Sequence, residues 1–390
     1  MKPTQTGRLL SDEHETLFEI AQAVIRQLAD LPQALAGSPW ADHHGYANRA
    51  KWLGEHLEAA IVLAVRQRCA SSLAVLRTAL EQSCIDELLL LADRYRETIQ
   101  AAEETFRQLE TEWKLGEAEW TKSVVDLKHD NKTVRLVRTG YPILSSDQTT
   151  VVEHLSPYDP VVDEHDAMLG PPDVQDDLAG AFSNPERLKE WASRNRSTYR
   201  RFLRWSAIID NLQLNELMSN RQALELETHY RFLSAFTHAT TAGYRALDRQ
   251  RRSSGAQSLH EHLLGELVLL YVSAIGATEL RSFTTYVDAR PQLELRTRTD
   301  VERVVSAAVQ AIGYFWFPRL GSPVSYDFFE EANRRAYPNG RFERDEHAPR
   351  PEEIPGADVS YYANPLGRLE QLHIGGTEVA TGYSHSSLWP

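Results

Sequence analysis

Cysteine is nearly absent from this 390-residue chain, where only Cys69 and Cys84 occur. Two thiols in a helical region cannot build a disulfide framework, and they read as small buried hydrophobes in a reducing compartment. Other absences narrow the chemistry. There is no Cys-x-x-Cys, no Gly-rich phosphate loop and no Gly-x-Ser-x-Gly elbow, so the commonest redox, nucleotide and hydrolase signatures are missing. A di-iron bundle needs paired Glu-x-x-His motifs on facing helices. Here the spacing occurs only at Glu370 and His373, with Asp126 and His129 as the nearest relative. Long hydrophobic runs are also lacking. Leu263 to Leu280 is interrupted by Glu266 and Glu279, and Val304 to Phe317 is too short to cross a bilayer. Leu9 and Leu10 run straight into Ser11-Asp12-Glu13-His14, which is no secretory signal. A cytoplasmic protein with no membrane partner is the expectation.

The formal net charge of -13 argues against a general nucleic-acid coat. Local basic clusters escape that argument, because a binding site responds first to its local potential.

Helix signals dominate what is present, and they predict a mainly α fold, an antiparallel helical bundle. Leu17, Ile20, Ala21, Val24 and Leu28 repeat at helical spacing after a capped start at Ser11. Pro32 to His44 reads as a loop, with His43-His44 on the surface or, less favoured, as metal ligands. Tyr46 to Ile99 is almost continuously helical, with a break expected near Ala70-Ser71-Ser72. Glu97 to His129 reads as a further charged, Trp-bearing helix. The segment from 132 to 143 alternates and predicts a short strand. Thr139 to Glu186 has no Lys or Arg but several Pro and many acidic residues, as a long acidic loop would. Four helices follow, near 186–218, 221–250, 257–288 and 299–317. Four regions result: N-terminal helices including the long charged one (1–130), an acidic Pro-rich insertion (131–185), bundle-completing helices (186–320) and an irregular wrapping tail (321–390). A short hairpin is expected near Gly375-Gly376.

Two helical segments carry polar side chains on otherwise apolar faces. Arg77 and Glu81 are four residues apart and meet on one side of their helix. In the stretch from Tyr230 to His238, Tyr230, Ser234 and His238 form a stripe, and Arg231 lies nearly in line with His238 two turns on. Such groups need partners when they are buried. Tyr230, Ser234 and His238 are of the right types to supply those of Arg77 and Glu81. The cluster is therefore expected between two packed helices, either as a core tie or as a site.

Arg231 and His238 also resemble the Arg-x(4–6)-His motif of the HEPN superfamily, helical bundles many of which are metal-independent ribonucleases. The Arg-x3-Glu helix followed by a Tyr-x3-Ser-x3-His helix resembles, in addition, a large family of bacterial helical proteins of unknown function. That second likeness covers residues 50–95 and 225–290. Phe232 stands where HEPN ribonucleases usually carry a polar residue. The resemblance implies a role in bacterial defence or toxin systems, no metal and no cofactor. It implies Arg231 and His238 as catalytic residues, with His238 taking a proton from a ribose hydroxyl and Arg231 holding the phosphate. Helical side chains lean toward the N-terminus, so a composite site with a second copy, or with another helix such as the one carrying Arg77, would bring the pair together, and a homodimer or a protein partner is implied.

A basic run fits a phosphate ligand. Arg194, Arg196, Arg200, Arg201 and Arg204 cluster with Tyr199 and Trp205, and Arg245, Arg249, Arg251 and Arg252 follow the His238 helix. Arg196, Arg200 and Arg204 step by four residues and predict one basic stripe suited to an RNA backbone. The bland alternative is a solvated face that balances the acidic insertion. Nucleic-acid action is thus set against a non-enzymatic helical scaffold or regulatory partner.

Overall fold

In α1 (Glu15–Ala34) the apolar residues Leu17, Ala21, Val24, Ile25, Leu28 and Leu31 fall on one buried face. The computed structural model describes residues 15–36, 41–66, 68–102, 104, 107, 111, 121–140, 143–144, 150–158, 193, 196–237, 257–290, 293–312 and 317. They are mainly α-helical. Two long helices follow α1: α2 (Ala41–Val65) and α3 (Cys69–Leu91). The link between them is closed by Arg68 N–H donating to Leu63 O at 2.8 Å. Side-chain bonds join Arg49 to Asp86, His56 to Gln82 and Ser72 to Ala60. As one residue number rises its partner's falls, so the two helices run antiparallel.

The centre of the bundle is α6 (Gln257–Asp288), packed by α1, α2 and α3. Its segment Gly265–Asp288 is long and apolar enough to cross a membrane, yet it lies inside the fold. From Gly265 to Leu280 every residue is buried, and a helix apolar on all sides belongs in a core. Gly276 is needed where α6 meets α1, because a Cβ there would fall 2.3 Å from Val24 Cγ1. Against α1 and α6 packs α7 (Arg298–Ala311). The two-residue strands β1 (Leu35–Ala36) and β7 (Glu294–Leu295) pair antiparallel beside it.

Two further helices are α4 (Trp205–Leu214) and α5 (Asn220–Thr237). A single π-turn (Tyr199–Leu203) precedes α4. Arg204 closes it by donating its N–H to Tyr199 O at 2.8 Å, and then adopts an extended backbone.

Several sequence expectations need correction. The long charged helix over 97–129 is instead β2 (Glu97–Ala102) and β3 (Thr121–His129), although Glu104, Arg107 and Thr111 between them are helical. Val124, Asp126 and Lys128 are exposed and Leu127 is buried, the period-2 pattern of a strand. The hairpin to β4 (Lys132–Gly140) turns at Asp130 and Asn131, whose φ values of 48° and 57° are those of a type I′ turn. This hairpin straddles the boundary drawn at 130/131. Two further strands, β5 (Ile143–Leu144) and β6 (Thr150–Leu155), form a sheet of order β2-β6-β5. The insertion is therefore in part β-structure and not one loop. The loop expected from Pro32 is shorter too: Pro32 sits in the last turn of α1, and the His43-His44 backbone belongs to α2. The break in the long helical run falls between Val65 and Cys69, before the expected Ala70. The acidic stretch after Tyr158, the tail from 318 onward with the hairpin expected near Gly375-Gly376, and Arg245 to Arg252 lie outside the described residues.

Aromatic contacts anchor the hairpin on the bundle. Tyr95 OH meets His129 Nδ1 at 2.6 Å, and both rings pack on buried Phe202. Tyr95 holds a φ of 66°, a left-handed conformation that bulky residues seldom adopt.

Candidate functional site

One polar cluster joins α3 to α5. Arg77 and Glu81 face it from α3, one helical turn apart. Tyr230 and Ser234 face it from α5 at the same spacing. Arg77 Nη2 donates to Tyr230 OH at 2.6 Å and to Glu81 Oε1 at 3.0 Å, while its Nε donates to Ser234 Oγ at 3.2 Å. Tyr230 OH in turn donates to Glu81 Oε1 at 3.1 Å. The Arg77 and Glu81 side chains are 16% and 27% exposed, so the cluster is half-buried. Burial pushes the Tyr230 phenol above its usual range, the Arg77 hydrogen bond draws it back, and the Glu81 charge adds to the rise. A charge-assisted network of this kind holds two helices in one register.

Trp205 covers the Tyr230 ring, with centroids 3.8 Å apart and planes 5° apart. Its Nε1 donates to Glu227 on the next α5 turn. Glu227 also receives Arg231 Nε at 2.9 Å. Arg231 is therefore paired within its own helix, half-exposed, and makes no contact with Arg77. Of the five residues expected together, the structure joins Arg77, Glu81, Tyr230 and Ser234. His238 lies outside the described residues, so the proposed Arg231–His238 pair has no described geometry.

The arginine-rich segment forms a second feature. Arg196, Arg200 and Arg204 are exposed, and among the described residues they enter no ion pair. Tyr199 beside them is 57% exposed. The regular row expected from their four-residue steps is altered. The π-turn widens the helix between Arg200 and Arg204, and Arg204 itself is extended, so the three do not form one straight α-helical stripe. Arg201 is half-buried, and its Nη1 finds no acceptor among the described residues.

Comparison of the chain with family models, with curated proteins and with solved structures finds no match. The HEPN resemblance accordingly rests on the residues of its motif alone.

Two further networks were not anticipated from the sequence. Arg49 pairs with buried Asp86 at 2.6 Å, and Gln82 Nε2 donates to Asp86 Oδ2 at 3.3 Å. Nearby, Ser83 Oγ donates to Glu279 Oε2 at 3.1 Å. Burial raises both carboxyls, most strongly Glu279, and the Asp86 charge raises Glu279 further. Arg49 binds Asp86 directly, so the retained proton belongs on Glu279. The second network is buried His229, whose Nδ1 meets Tyr271 OH at 2.8 Å beneath Phe317. The interruption of an apolar run by Glu279 was the one visible signal of the first; the second had none. Among the described residues no group of three His, Cys, Asp or Glu side chains is placed to hold a metal ion.

Proposed function

We propose that this protein acts on nucleic acid, holding the phosphodiester backbone on the π-turn face that carries Arg196, Arg200 and Arg204. The observation behind this reading is that these exposed guanidiniums have no carboxylate partner among the described residues. By contrast Arg77, Arg135, Arg231, Arg298 and Arg303 are all paired. Unneutralised arginines displace counterions from a polyanion and supply most of its affinity. Exposed Tyr199 offers an aromatic face on which a base stacks. In this reading the activity is metal-independent RNA cleavage by a homodimer. His238 removes the ribose hydroxyl proton and Arg231 leaves Glu227 to hold the phosphate.

A second reading, a non-enzymatic helical scaffold or regulatory partner, is favoured by a different observation. Arg77, Glu81, Tyr230 and Ser234 satisfy one another across the α3–α5 contact, as a structural tie does. One experiment separates the two. Purified full-length protein is incubated with labelled single-stranded RNA at low salt, with EDTA and with magnesium, and its oligomeric state is read by light scattering. Cleavage in EDTA that is lost in His238→Ala with the fold retained supports the enzyme. Binding without cleavage keeps only the nucleic-acid surface. Neither binding nor cleavage leaves the scaffold.

A further inference from the structure

Trp52 and Val62 are two large apolar side chains left in the open on one helix, 54% and 42% exposed. They belong to α2, whose opposite face buries Leu53 and Leu57 in the bundle. With Glu55, Ala59 and Arg66, all exposed, they are spaced alternately by three and four residues, the period of a coiled-coil seam. Arg66 stays in helical register just past the end of α2, its N–H donating to Val62 O at 3.2 Å and Leu63 O at 3.1 Å. Single apolar residues on a surface need no explanation, but a row along one helix face marks an interaction surface. Its two charges are spare: neither the Glu55 carboxylate nor the Arg66 guanidinium enters a hydrogen bond or ion pair among the described residues. They carry opposite signs and stand on either side of the turn from Ala59 to Val62.

We propose that this seam pairs two copies of the chain through antiparallel α2 helices. Charge complementarity decides both the occupant and its direction. In an antiparallel pair the seam is self-complementary: Glu55 of each copy meets Arg66 of the other, and Ala59 of each meets Val62 of the other. A parallel pair would set Glu55 against Glu55 and Arg66 against Arg66, which repel. The small Ala59 lets the helices approach closely, and the Val62 side chain fills the space opposite it. Trp52, one turn before Glu55, closes each end of the seam over the aliphatic stem of Arg66. None of these residues belongs to the arginine segment or the Arg77 cluster, so the interface stands whether or not the chain acts on nucleic acid.

Light scattering and sedimentation velocity of the full-length protein over a concentration series test this. A mass that rises with concentration from one chain to two is expected. Trp52 and Val62 are exposed, so Trp52→Ala with Val62→Glu is expected to leave the circular dichroism spectrum unchanged and to hold the protein monomeric. Glu55→Arg and Arg66→Glu, each alone, set like charges across the seam and are expected to weaken self-association at least about tenfold. The two combined in one chain restore opposite charges in the antiparallel pair and are expected to recover it. Three outcomes overturn the proposal: a wild type that is monomeric at every concentration, which leaves the row to a different partner; a dimer that survives Trp52→Ala with Val62→Glu; or a double charge exchange that associates no more tightly than either single one.

Discussion

The guanidinium of Arg77 stands 2.6 Å from the hydroxyl of Tyr230, joining α3 to α5 across 153 residues of sequence. Both groups are half-buried, so their network is worth more than a surface ion pair and less than a fully desolvated one. Glu81→Ala removes the acceptor shared by Arg77 and Tyr230 and is expected to destabilise by about 1–3 kcal/mol. Tyr230→Phe keeps the ring on Trp205 and removes only the hydroxyl, so about 1 kcal/mol is expected. Urea melts of both variants check this. A Glu81→Ala midpoint equal to wild type would show that the cluster holds nothing together.

That tie was legible in the sequence because it is built from two local spacings. Arg77 with Glu81, and Tyr230 with Ser234, are each four residues apart, and helical periodicity alone places each pair on one face. The stack of Trp205 on Tyr230 and the approach of Ser83 to Glu279, 196 residues apart, depend on which helices become neighbours. A one-dimensional pattern carries no such information. The hairpin was misread for another reason. Its exposed positions include the charged Asp126 and Lys128, so the segment resembled a solvated helix. The Asp130-Asn131 turn flanked by Val124-Val125 and Val134 held the correcting signal. The π-turn at Tyr199 left no trace, since nothing in Tyr-Arg-Arg-Phe-Leu separates it from an ordinary helical turn.

Glu279 makes stability depend on pH. Its carboxyl is buried beside Asp86 and stays protonated well above its usual value near 4.5. The folded state therefore binds a proton that the unfolded state has released, and stability falls as pH rises through that window. The groups facing it are Asp86 and Ser83 from α3 and Arg49 from α2. Urea stability measured from about pH 5 to about pH 9 is expected to decline in the wild type. Glu279→Gln carries no titrating proton at this position and is expected to show a shallower decline. Equal slopes in the two proteins would place the proton elsewhere.

Gly276 tests the central packing. A methyl group there would stand 2.3 Å from Val24 Cγ1 and 3.1 Å from Leu57 Cδ1. Alanine ordinarily stabilises a helix interior by up to about 1 kcal/mol over glycine. Here the overlap must push α6 away from α1, and overpacking of this kind costs about 1–3 kcal/mol. Gly276→Ala is thus expected to lower the thermal midpoint despite its better helix propensity. A rise would mean that α1 and α6 are less closely packed than the structure has them.

The arginine face makes a prediction in the salt dependence of binding. If Arg200 and Arg204 each neutralise a phosphate, each releases about one counterion when nucleic acid binds. Replacing both with glutamine is expected to flatten the slope of log K against log[salt] by about 2 for a duplex and somewhat less for a single strand. Binding should weaken to a similar degree for every sequence tested, because phosphate contacts carry no base identity. Neither arginine enters an ion pair among the described residues, so the double variant is expected to melt like the wild type. Fluorescence anisotropy with a labelled oligonucleotide over a salt series measures the slope. An unchanged slope with unchanged affinity would remove this face from the binding surface and leave its charge as a counterweight to the acidic insertion.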